Sequence, residues 1–298
     1  MRWVVSGGSG FIGSALIRSL LADGEDVVRL VRRAPASADE RRWDPDRHEI
    51  DANALDGADV VVHLAGAGIG DKRWTDARKQ LILSSRVDST TTVADEIARR
   101  EDRPRVWLCA SAVGYYGDTG EETVDESAPS GAGFAADVVR QWEAATAAAR
   151  EAGVRVVNFR SGIVLSPDGA TLQKLLPLFR FGVGGKLGSG RQWMSWIALA
   201  DEIAAIRFLA ARDDIDGPVN LTAPEPVRNR EFTKALARAV RRPAVLPVPP
   251  QALRAVFGGF ADEGPLASQR VVPARLEAAG FDFTFDDIDA ALTAMLAH

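Results

Sequence analysis

Arg2-Trp-Val-Val-Ser-Gly-Gly-Ser-Gly-Phe-Ile-Gly13 is the stretch that decides the fold. It begins with an apolar run typical of a buried strand, and from Ile12 onward apolar residues recur at helical spacing, so it predicts a strand, a tight turn and a helix. In such a turn one glycine permits the reversal, one lets the backbone approach a pyrophosphate, and one lets the helix pack on the strand. The helix N-terminus offers N–H groups and a positive dipole end to the phosphates. We therefore expect a dinucleotide to bind at Gly7, Gly10, Phe11, Ile12 and Gly13; the alternative is a glycine turn with a purely steric purpose.

The second predicted strand, residues 26–31, delivers Arg32 and Arg33 to its carboxyl end. In a dinucleotide-binding sheet this end reaches the adenosine ribose, where a carboxylate binds the 2′-hydroxyl of NAD and an arginine binds the 2′-phosphate of NADP. Two arginines and no acidic residue follow this strand, so the sequence favours NADP as the cofactor over NAD. The alternative is that both arginines only solvate a loop.

Strands and helices alternate five times in the first part of the chain. Further strands are predicted at 59–65, 105–110 and 154–159, and helices at 76–99 and 134–151, with a polar, irregular segment at 34–57. This alternation indicates an α/β fold of the Rossmann type, a doubly wound parallel sheet.

The second part of the chain is less regular, and only a helix over 197–211 and a strand over 218–221 continue the alternation. We therefore predict a Rossmann domain made of residues 1–165 with 197–223 returning to it. The remaining segments, 166–196 and 224–298, are predicted to form a small C-terminal substrate lobe.

Two further strands end in residues suited to a ligand. The third runs into Gly66-Ala-Gly68, where glycines let the backbone approach a bound molecule. We expect Leu64, Ala65 and Gly66 to contact the cofactor, together with Arg160, which follows the fifth strand. Asp71-Lys-Arg-Trp74 then places two cations and an aromatic ring nearby, either to hold an anionic substrate or to cap a surface.

The fourth strand runs into Ser111-Ala-Val-Gly-Tyr-Tyr-Gly117. Open α/β sheets bind their ligands at the carboxyl ends of their strands. Hydroxyl groups there can donate hydrogen bonds to a substrate oxygen, and a phenol can act as a general acid when a cation lowers its pKa. Ser111, Tyr115 and Tyr116 are therefore the candidate catalytic residues, the alternative being an aromatic turn that packs on the sheet. The acidic loop 118–133 is predicted to be a mobile flap over the site.

Composition excludes several classes of protein. The net charge of −5 argues against nucleic acid or an anionic membrane as a partner. Cys109, the only cysteine, lies in an apolar run and is predicted to be a buried, inert thiol, which suits a cytoplasmic protein. No apolar run reaches membrane-spanning length. The three histidines lack partners at ligand spacing, so we predict no metal site and expect His63 to be a core residue.

Taken together, several motifs resemble the epimerase-like family of atypical, extended-type short-chain dehydrogenase/reductases. Besides the glycine turn and the Tyr-Tyr-Gly segment, they are Leu64-Ala-Gly66, Asp71-Lys-Arg-Trp74, Gly188-Ser-Gly-Arg-Gln-Trp193 and Asn220-Leu-Thr-Ala-Pro-Glu-Pro-Val-Arg-Asn229. The resemblance covers nearly the whole chain. It implies a Rossmann domain that binds NADP and a C-terminal lobe that binds a small molecule, with Arg32 at the 2′-phosphate and Ser111 at the catalytic-serine position.

The chain departs from ordinary members of that group at one point. They carry Tyr-x-x-x-Lys at the start of the helix that here begins near Phe134, whereas this chain has Phe134-Ala-Ala-Asp-Val-Val139 and no lysine between Lys79 and Lys174. The resemblance to atypical members of the family implies the same absence, because these members also lack the Tyr and Lys pair.

Two hypotheses follow. The first is an NADP-dependent oxidoreductase or epimerase acting on a small polar substrate such as a sugar nucleotide. The second is an NADP-binding sensor or regulator that does no chemistry, including a cell-division role suggested by a family label. The helix 76–99 and the next helix are the candidate seam of a homodimer.

Overall fold

The computed structural model describes residues 1–297. In chain order its strands are β1 (Arg2–Ser6), β2 (Asp26–Val31), β3 (Glu40–Asp44), β4 (Glu49–Ile50), β5 (Val60–His63), β6 (Val106–Ala112), β7 (Thr123–Val124), β8 (Arg155–Ser161), β9 (Ile163–Leu165), β10 (Trp193–Met194), β11 (Trp196–Ala198), β12 (Gly217–Leu221), β13 (Val227–Arg228) and β14 (Arg270–Val271). The α-helices are α1 (Phe11–Ala22), α2 (Asp76–Arg99), α3 (Phe134–Ala144), α4 (Ala147–Glu151), α5 (Ala170–Arg180), α6 (Leu199–Ala211), α7 (Asn229–Ala239), α8 (Pro250–Phe257), α9 (Phe260–Glu263), α10 (Ala274–Ala278) and α11 (Ile288–Leu296). Short 3₁₀ turns span Pro45–Arg47 and Val113–Tyr116.

The central sheet has eight strands in the order β12-β8-β6-β5-β1-β2-β3-β4. Neighbouring strands are parallel except for the edge pair β3 and β4. The chain starts in the middle at β1, builds outward through β2, and then crosses to β5 on the other side of β1. Ligands of such sheets bind where the strand order reverses, outside the carboxyl ends of the strands, which here means between β1 and β5. The predicted Rossmann-type doubly wound sheet is confirmed.

Helices cover both faces of the sheet, which is why its central strands are mostly apolar. Successive side chains of a strand point to opposite faces. Trp3 and Val5 therefore pack in the core under α1 and α6, while Val4 packs in the core under α2 and α4. The thiol of Cys109 is buried in the second of these cores, and burial raises its pKa well above the ordinary value.

Three predicted element boundaries are wrong. The segment 34–57 is not irregular, because β3 and β4 extend the sheet within it and Trp43 is buried at 3% exposure; its charged residues hide the strand pattern. The helix predicted over 134–151 is two helices, since the Thr146 hydroxyl donates to the carbonyl of Glu143 (2.7 Å) where α3 ends. Ile197 lies in β11, which pairs with β9, so α6 begins only at Leu199.

A separate apolar cluster lies outside the two cores of the sheet. It is contributed mainly by α5, α7 and α11, including Leu172, Phe179, Phe232, Leu236 and Leu292. The loop predicted to be a mobile flap contains β7, which pairs with β14, and the Thr119 N–H donates to the carbonyl of Ser268 (2.7 Å). This loop is therefore hydrogen-bonded to the segment that contains Ser268 and β14. Across residues 1–297, none of the helices is long and apolar enough to cross a membrane.

Candidate functional site

The glycine turn between β1 and α1 leaves little room for side chains at its three spaced glycines. Gly7 has φ +70°, and a Cβ atom there would lie 2.7 Å from the backbone of Leu64. A Cβ on Gly10 would lie 3.1 Å from the Gly7 carbonyl oxygen, and one on Gly13 would overlap that same oxygen. Glycine is therefore required at Gly7 for both conformation and space, and at Gly13 for the packing of α1 on the turn.

The start of α1 is suited to an anion. Gly10 is the N-cap, and within the described chain no side chain caps this end of the helix. The first turn also lacks an acidic residue. Phe11 and Ile12 in that turn are half-buried. A helix N-terminus left without a cap or an acid directs N–H groups and positive dipole at whatever lies in front of it, and a pyrophosphate fits this arrangement.

The two arginines that follow β2 have different surroundings. Arg33 donates through both terminal nitrogens to the carboxylate of Glu40 (2.7 and 2.6 Å). Hydrogen bonds from Arg33 and from the Ala36 N–H hold the pKa of Glu40 down at about 2. Arg32 is exposed and, among residues 1–297, its side chain makes no hydrogen bond or ion pair. The structure thus leaves Arg32 available to a 2′-phosphate and fixes Arg33 on a carboxylate.

The loop after β5 lies directly against the glycine turn, through Leu64 and Ala65. His63, the residue before this loop, is fully buried between the hydroxyls of Ser6 (2.8 Å) and Ser89 (3.1 Å). Burial lowers the pKa of His63 to about 3, so the ring is neutral at physiological pH. His63 is accordingly part of the core. Within the described residues no group of His, Cys, Asp and Glu side chains is arranged to hold a metal ion.

Three polar residues lie side by side at the carboxyl ends of neighbouring strands. Ser111 on β6 is in register with Arg160 on β8, and Arg160 is in register with Asn220 on β12. Glu143 of α3 packs onto this row. Its carboxylate accepts two hydrogen bonds from Arg160 (both 2.8 Å) and one from the Ser111 hydroxyl (2.6 Å). Ser111 and Arg160 are almost inaccessible, at 4% and 3% exposure.

Tyr116 closes the same network. Its hydroxyl donates to the Asn220 side-chain oxygen (2.8 Å) and accepts from Arg160 (2.9 Å). Burial raises the pKa of Tyr116 to about 12, although the Arg160 charge opposes the shift. Burial also works against the charge of Arg160, but its hydrogen bonds to Glu143 raise the pKa of Arg160 overall. Tyr116 is therefore a neutral, fully hydrogen-bonded part of the sheet edge.

Tyr115 differs from Tyr116 in its burial and in the hydrogen bonding of its hydroxyl. Its ring is half-buried, and the Arg160 guanidinium lies 3.4 Å from the ring centroid. Within residues 1–297 the Tyr115 hydroxyl makes no hydrogen bond. The backbone of this turn is held by the loop 118–133, because the Gly131 N–H donates to the Tyr115 carbonyl (2.9 Å). Of the three predicted hydroxyls, only that of Tyr115 is left for a ligand.

The structure thus groups the predicted residues differently from the sequence. Ser111, Tyr115 and Tyr116 do come together, but Arg160, predicted to contact the cofactor, directs its donors at Glu143 and Tyr116. Its contact with a cofactor stays a prediction. Glu143 was missed because it lies in the third turn of an otherwise ordinary amphipathic helix. A signal was present, because a buried Arg160 requires a carboxylate partner.

The fold and the glycine turn define the class, a Rossmann-type protein with a dinucleotide cradle. A model of the NAD-dependent epimerase/dehydratase family matches residues 3–221, and a model of a domain of unknown function, DUF1731, matches residues 248–295. Epimerase family protein Mb2239 of Mycobacterium bovis is 48% identical over 288 residues, which cover 97% of this chain and 95% of that protein. The chain belongs to the NAD-dependent epimerase/dehydratase family, and the resemblance predicted from its motifs is confirmed.

Solved structures agree with this assignment. Human epimerase family protein SDR39U1, crystallised with NADPH, is 32% identical with a TM-score of 0.92, and the match covers 100% of both chains. The cofactor predicted from Arg32 and Arg33 is thus the one present in the crystals of this relative. UDP-glucose 4-epimerase of Thermus thermophilus, solved in complex with NAD, is 20% identical with a TM-score of 0.76, and the match covers 100% of this chain and 98% of that one. At that identity the likeness concerns the fold alone.

Proposed function

We propose that the protein is an NADP-dependent oxidoreductase or epimerase that acts on a small polar substrate, with Tyr115 as its proton-transfer residue. Family membership and the human relative crystallised with NADPH support the cofactor. The glycine turn, which has little space for side chains, supports it as well. So do the start of α1 and the Arg32 side chain, neither of which has a side-chain partner within residues 1–297.

NADP supplies hydride exchange at its nicotinamide ring when bound. Moving a hydride to or from a carbon that bears oxygen requires a proton to leave or reach that oxygen. The chain must therefore present a group that exchanges protons at the carboxyl edge of the sheet. The observation that carries the proposal is the Tyr115 hydroxyl, unpartnered in the described structure, on a ring stacked against Arg160 at 3.4 Å.

In this proposal Arg160 positions the Tyr115 ring. Its guanidinium carbon lies 3.4 Å from the ring centroid. Glu143 holds the guanidinium through two hydrogen bonds, so its plane is fixed against the Tyr115 ring. Ser111, Glu143 and Tyr116 are then positioning residues, because their polar atoms are used within the network.

The test compares two variants that each remove one hydroxyl. Purified protein is incubated with NADPH or NADP and a panel of carbonyl compounds, alcohols and sugar nucleotides, and cofactor oxidation or reduction is followed. Once a substrate is found, Tyr115→Phe is expected to lower kcat by about 100-fold or more, with the Kd for NADPH unchanged. Tyr116→Phe is the matched control. It is expected to lower the free energy of unfolding and to change kcat much less than Tyr115→Phe does.

Two results would overturn the proposal. If Tyr115→Phe retains full turnover, the proton passes through another group. If the protein binds NADPH but no member of the panel is turned over or alters NADPH affinity, the sensor hypothesis becomes the better account, since Ser111 and Tyr116 are both engaged within the fold.

A further inference from the structure

Exposed apolar side chains concentrate on one surface of the protein. Nine large apolar residues are exposed in the described chain, and five of them lie at the end of α5 and in the segments that follow α5 and α7. We call these five the apolar surface: Leu178, Phe181, Val183, Val245 and Leu246. Phe181 is 83% exposed and Val245 is 70% exposed. Large apolar side chains that are exposed together mark a binding surface.

Backbone hydrogen bonds hold the apolar surface together. The Val183 N–H donates to the carbonyl of Leu178 (3.0 Å), which folds the chain back onto the end of α5. The Leu246 N–H donates to the carbonyl of Gly184 (3.2 Å), which joins the segment after α7 to the segment after α5. The five side chains therefore belong to one surface and not to separate loops.

Positive charges surround the apolar surface. Residues 170–191 and 226–247 contain ten arginine and lysine residues and a single acidic residue, Glu231, although the whole chain has a net charge of −5. Four of these cations are exposed and form no ion pair within residues 1–297, namely Arg180, Lys186, Lys234 and Arg242. The prediction that an anionic membrane is not a partner used the net charge of the whole chain, which hides this local excess of positive charge.

Three cations also lie around a small cleft beside the apolar surface. The cleft has a volume of about 140 Å³ and is lined by Lys186, Arg230 and Lys234, together with the apolar side chains of Val245 and Pro247. Ammonium and guanidinium groups donate charge-assisted hydrogen bonds to phosphate oxygens. The cleft therefore offers a place for a phosphate group directly beside exposed apolar side chains.

The cations indicate what covers the apolar surface. A symmetric contact with a second copy of this chain would place these cations against their own counterparts, and like charges repel. The partner is therefore anionic. Peptide-binding sites of proteins are grooves or sheet edges that receive side chains from the peptide, whereas Phe181 and Val245 project into solvent. Projecting apolar side chains flanked by lysine and arginine are typical of proteins that lie on an anionic bilayer.

We propose that the apolar surface attaches the protein peripherally to an anionic lipid bilayer. Phe181 and Val245 enter the boundary between headgroups and acyl chains, and Lys186, Arg230 and Lys234 bind the phosphate of a lipid headgroup. The attachment needs no membrane-crossing helix. It is also independent of the proposed function, because the glycine turn and Tyr115 take no part in it.

The experiment measures binding of the full chain to sucrose-loaded vesicles by sedimentation. One set of vesicles contains phosphatidylcholine alone, and the other contains equal parts of phosphatidylcholine and phosphatidylglycerol. The wild type is compared with Phe181→Ser, which removes the most exposed apolar side chain, and with the double variant Lys186→Gln with Lys234→Gln, which removes two charges from the cleft.

Matched controls change the same kinds of side chain elsewhere. Leu21→Ser replaces a residue of α1 that is 57% exposed. Arg18→Gln with Arg47→Gln removes two exposed charges, one on α1 and one in the 3₁₀ turn after β3. Every variant is also unfolded in urea and titrated with NADPH, and both measurements are expected to match the wild type.

The wild type is expected to bind the anionic vesicles, to ignore phosphatidylcholine alone, and to bind less as salt is added. Phe181→Ser is expected to lower the partition coefficient by about 10-fold, because one large apolar side chain no longer leaves water. The double lysine variant is expected to lower it by about 10- to 30-fold, since each cation near an anionic surface contributes to binding. Both controls are expected to bind like the wild type.

Other outcomes overturn the inference. Wild-type protein that does not bind anionic vesicles at low salt, or that binds both kinds of vesicle equally, contradicts it. Binding that salt abolishes and that Phe181→Ser leaves unchanged shows general charge attraction only. Absence of vesicle binding together with binding to poly-glutamate would assign the apolar surface to an acidic protein, and self-association lost in Phe181→Ser would assign it to a second copy. Failure to bind NADPH would overturn the proposed function alone.

Discussion

Replacing Glu143 by glutamine tests whether the buried network organises the edge of the sheet. The carboxylate is 14% exposed and its partner Arg160 only 3%. Glu143→Gln removes the single carboxylate that pairs with Arg160 in the described chain and places an amide N–H₂ against existing donors. Loss of one partner of a buried ion pair costs about 3–5 kcal/mol, because the other charge stays buried without compensation. In a domain of this size that corresponds to a Tm lower by about 6–20 °C.

Urea unfolding at constant temperature measures this change directly, and Glu121→Gln is the matched control. Glu121 also accepts a hydrogen bond from an arginine, Arg228 (2.7 Å), but it is 70% exposed, so its loss is expected to destabilise the protein much less than the loss of Glu143. The double variant Glu143→Gln with Arg160→Met removes both charges and is expected to be destabilised by less than the sum of the single variants. A loss for Glu143→Gln no greater than that for Glu121→Gln would refute the reasoning.

Two other predictions concern backbone space and pH. Gly7→Ala is expected to lose more than about 1 kcal/mol of stability and to bind NADPH poorly. The control Gly24→Ala has a similar φ (+73°) but no atom within 4 Å of its Cβ, so it bears only the conformational cost. Equal losses in urea unfolding would show that Leu64 moves to accommodate the side chain. Burial raises the pKa of Glu202 from 4.5 to about 8, so between these values the folded state keeps a proton that the unfolded state loses. The free energy of unfolding is therefore expected to fall as pH rises from about 5 to 8, by up to about 1.4 kcal/mol per pH unit. Glu202→Gln is expected to lack this slope. Parallel pH profiles of the two proteins would contradict the assignment of the slope to Glu202.

The sheet was readable from sequence because its signals are local. The glycine turn and the apolar strands β1, β5 and β6 specify their own structure within a few residues of chain. β3 escaped prediction because only Trp43 marks it and its remaining residues are charged. Glu40 was missed together with β3. No acidic residue directly follows β2 in the sequence, but in the fold Glu40 of β3 accepts hydrogen bonds from Arg33.

The candidate site was only partly predictable for the same reason. The sequence placed Ser111, Tyr115 and Tyr116 at one strand end, but which hydroxyl is used within the fold depends on Glu143 and Asn220, which are 32 and 104 residues away from their partners. Such long-range pairing has no signature in local spacing.

The central claim is a site for NADP, and comparing the affinities of the purified protein for NADPH and NADH tests it most directly. The two ligands differ only at the 2′-position, and we propose that the 2′-phosphate of NADPH contacts Arg32, the arginine left without a partner in the described structure. A charge-assisted contact there predicts NADPH binding at least about 10-fold tighter than NADH by calorimetric titration. Equal affinities, or no heat of binding with either dinucleotide, would contradict the account.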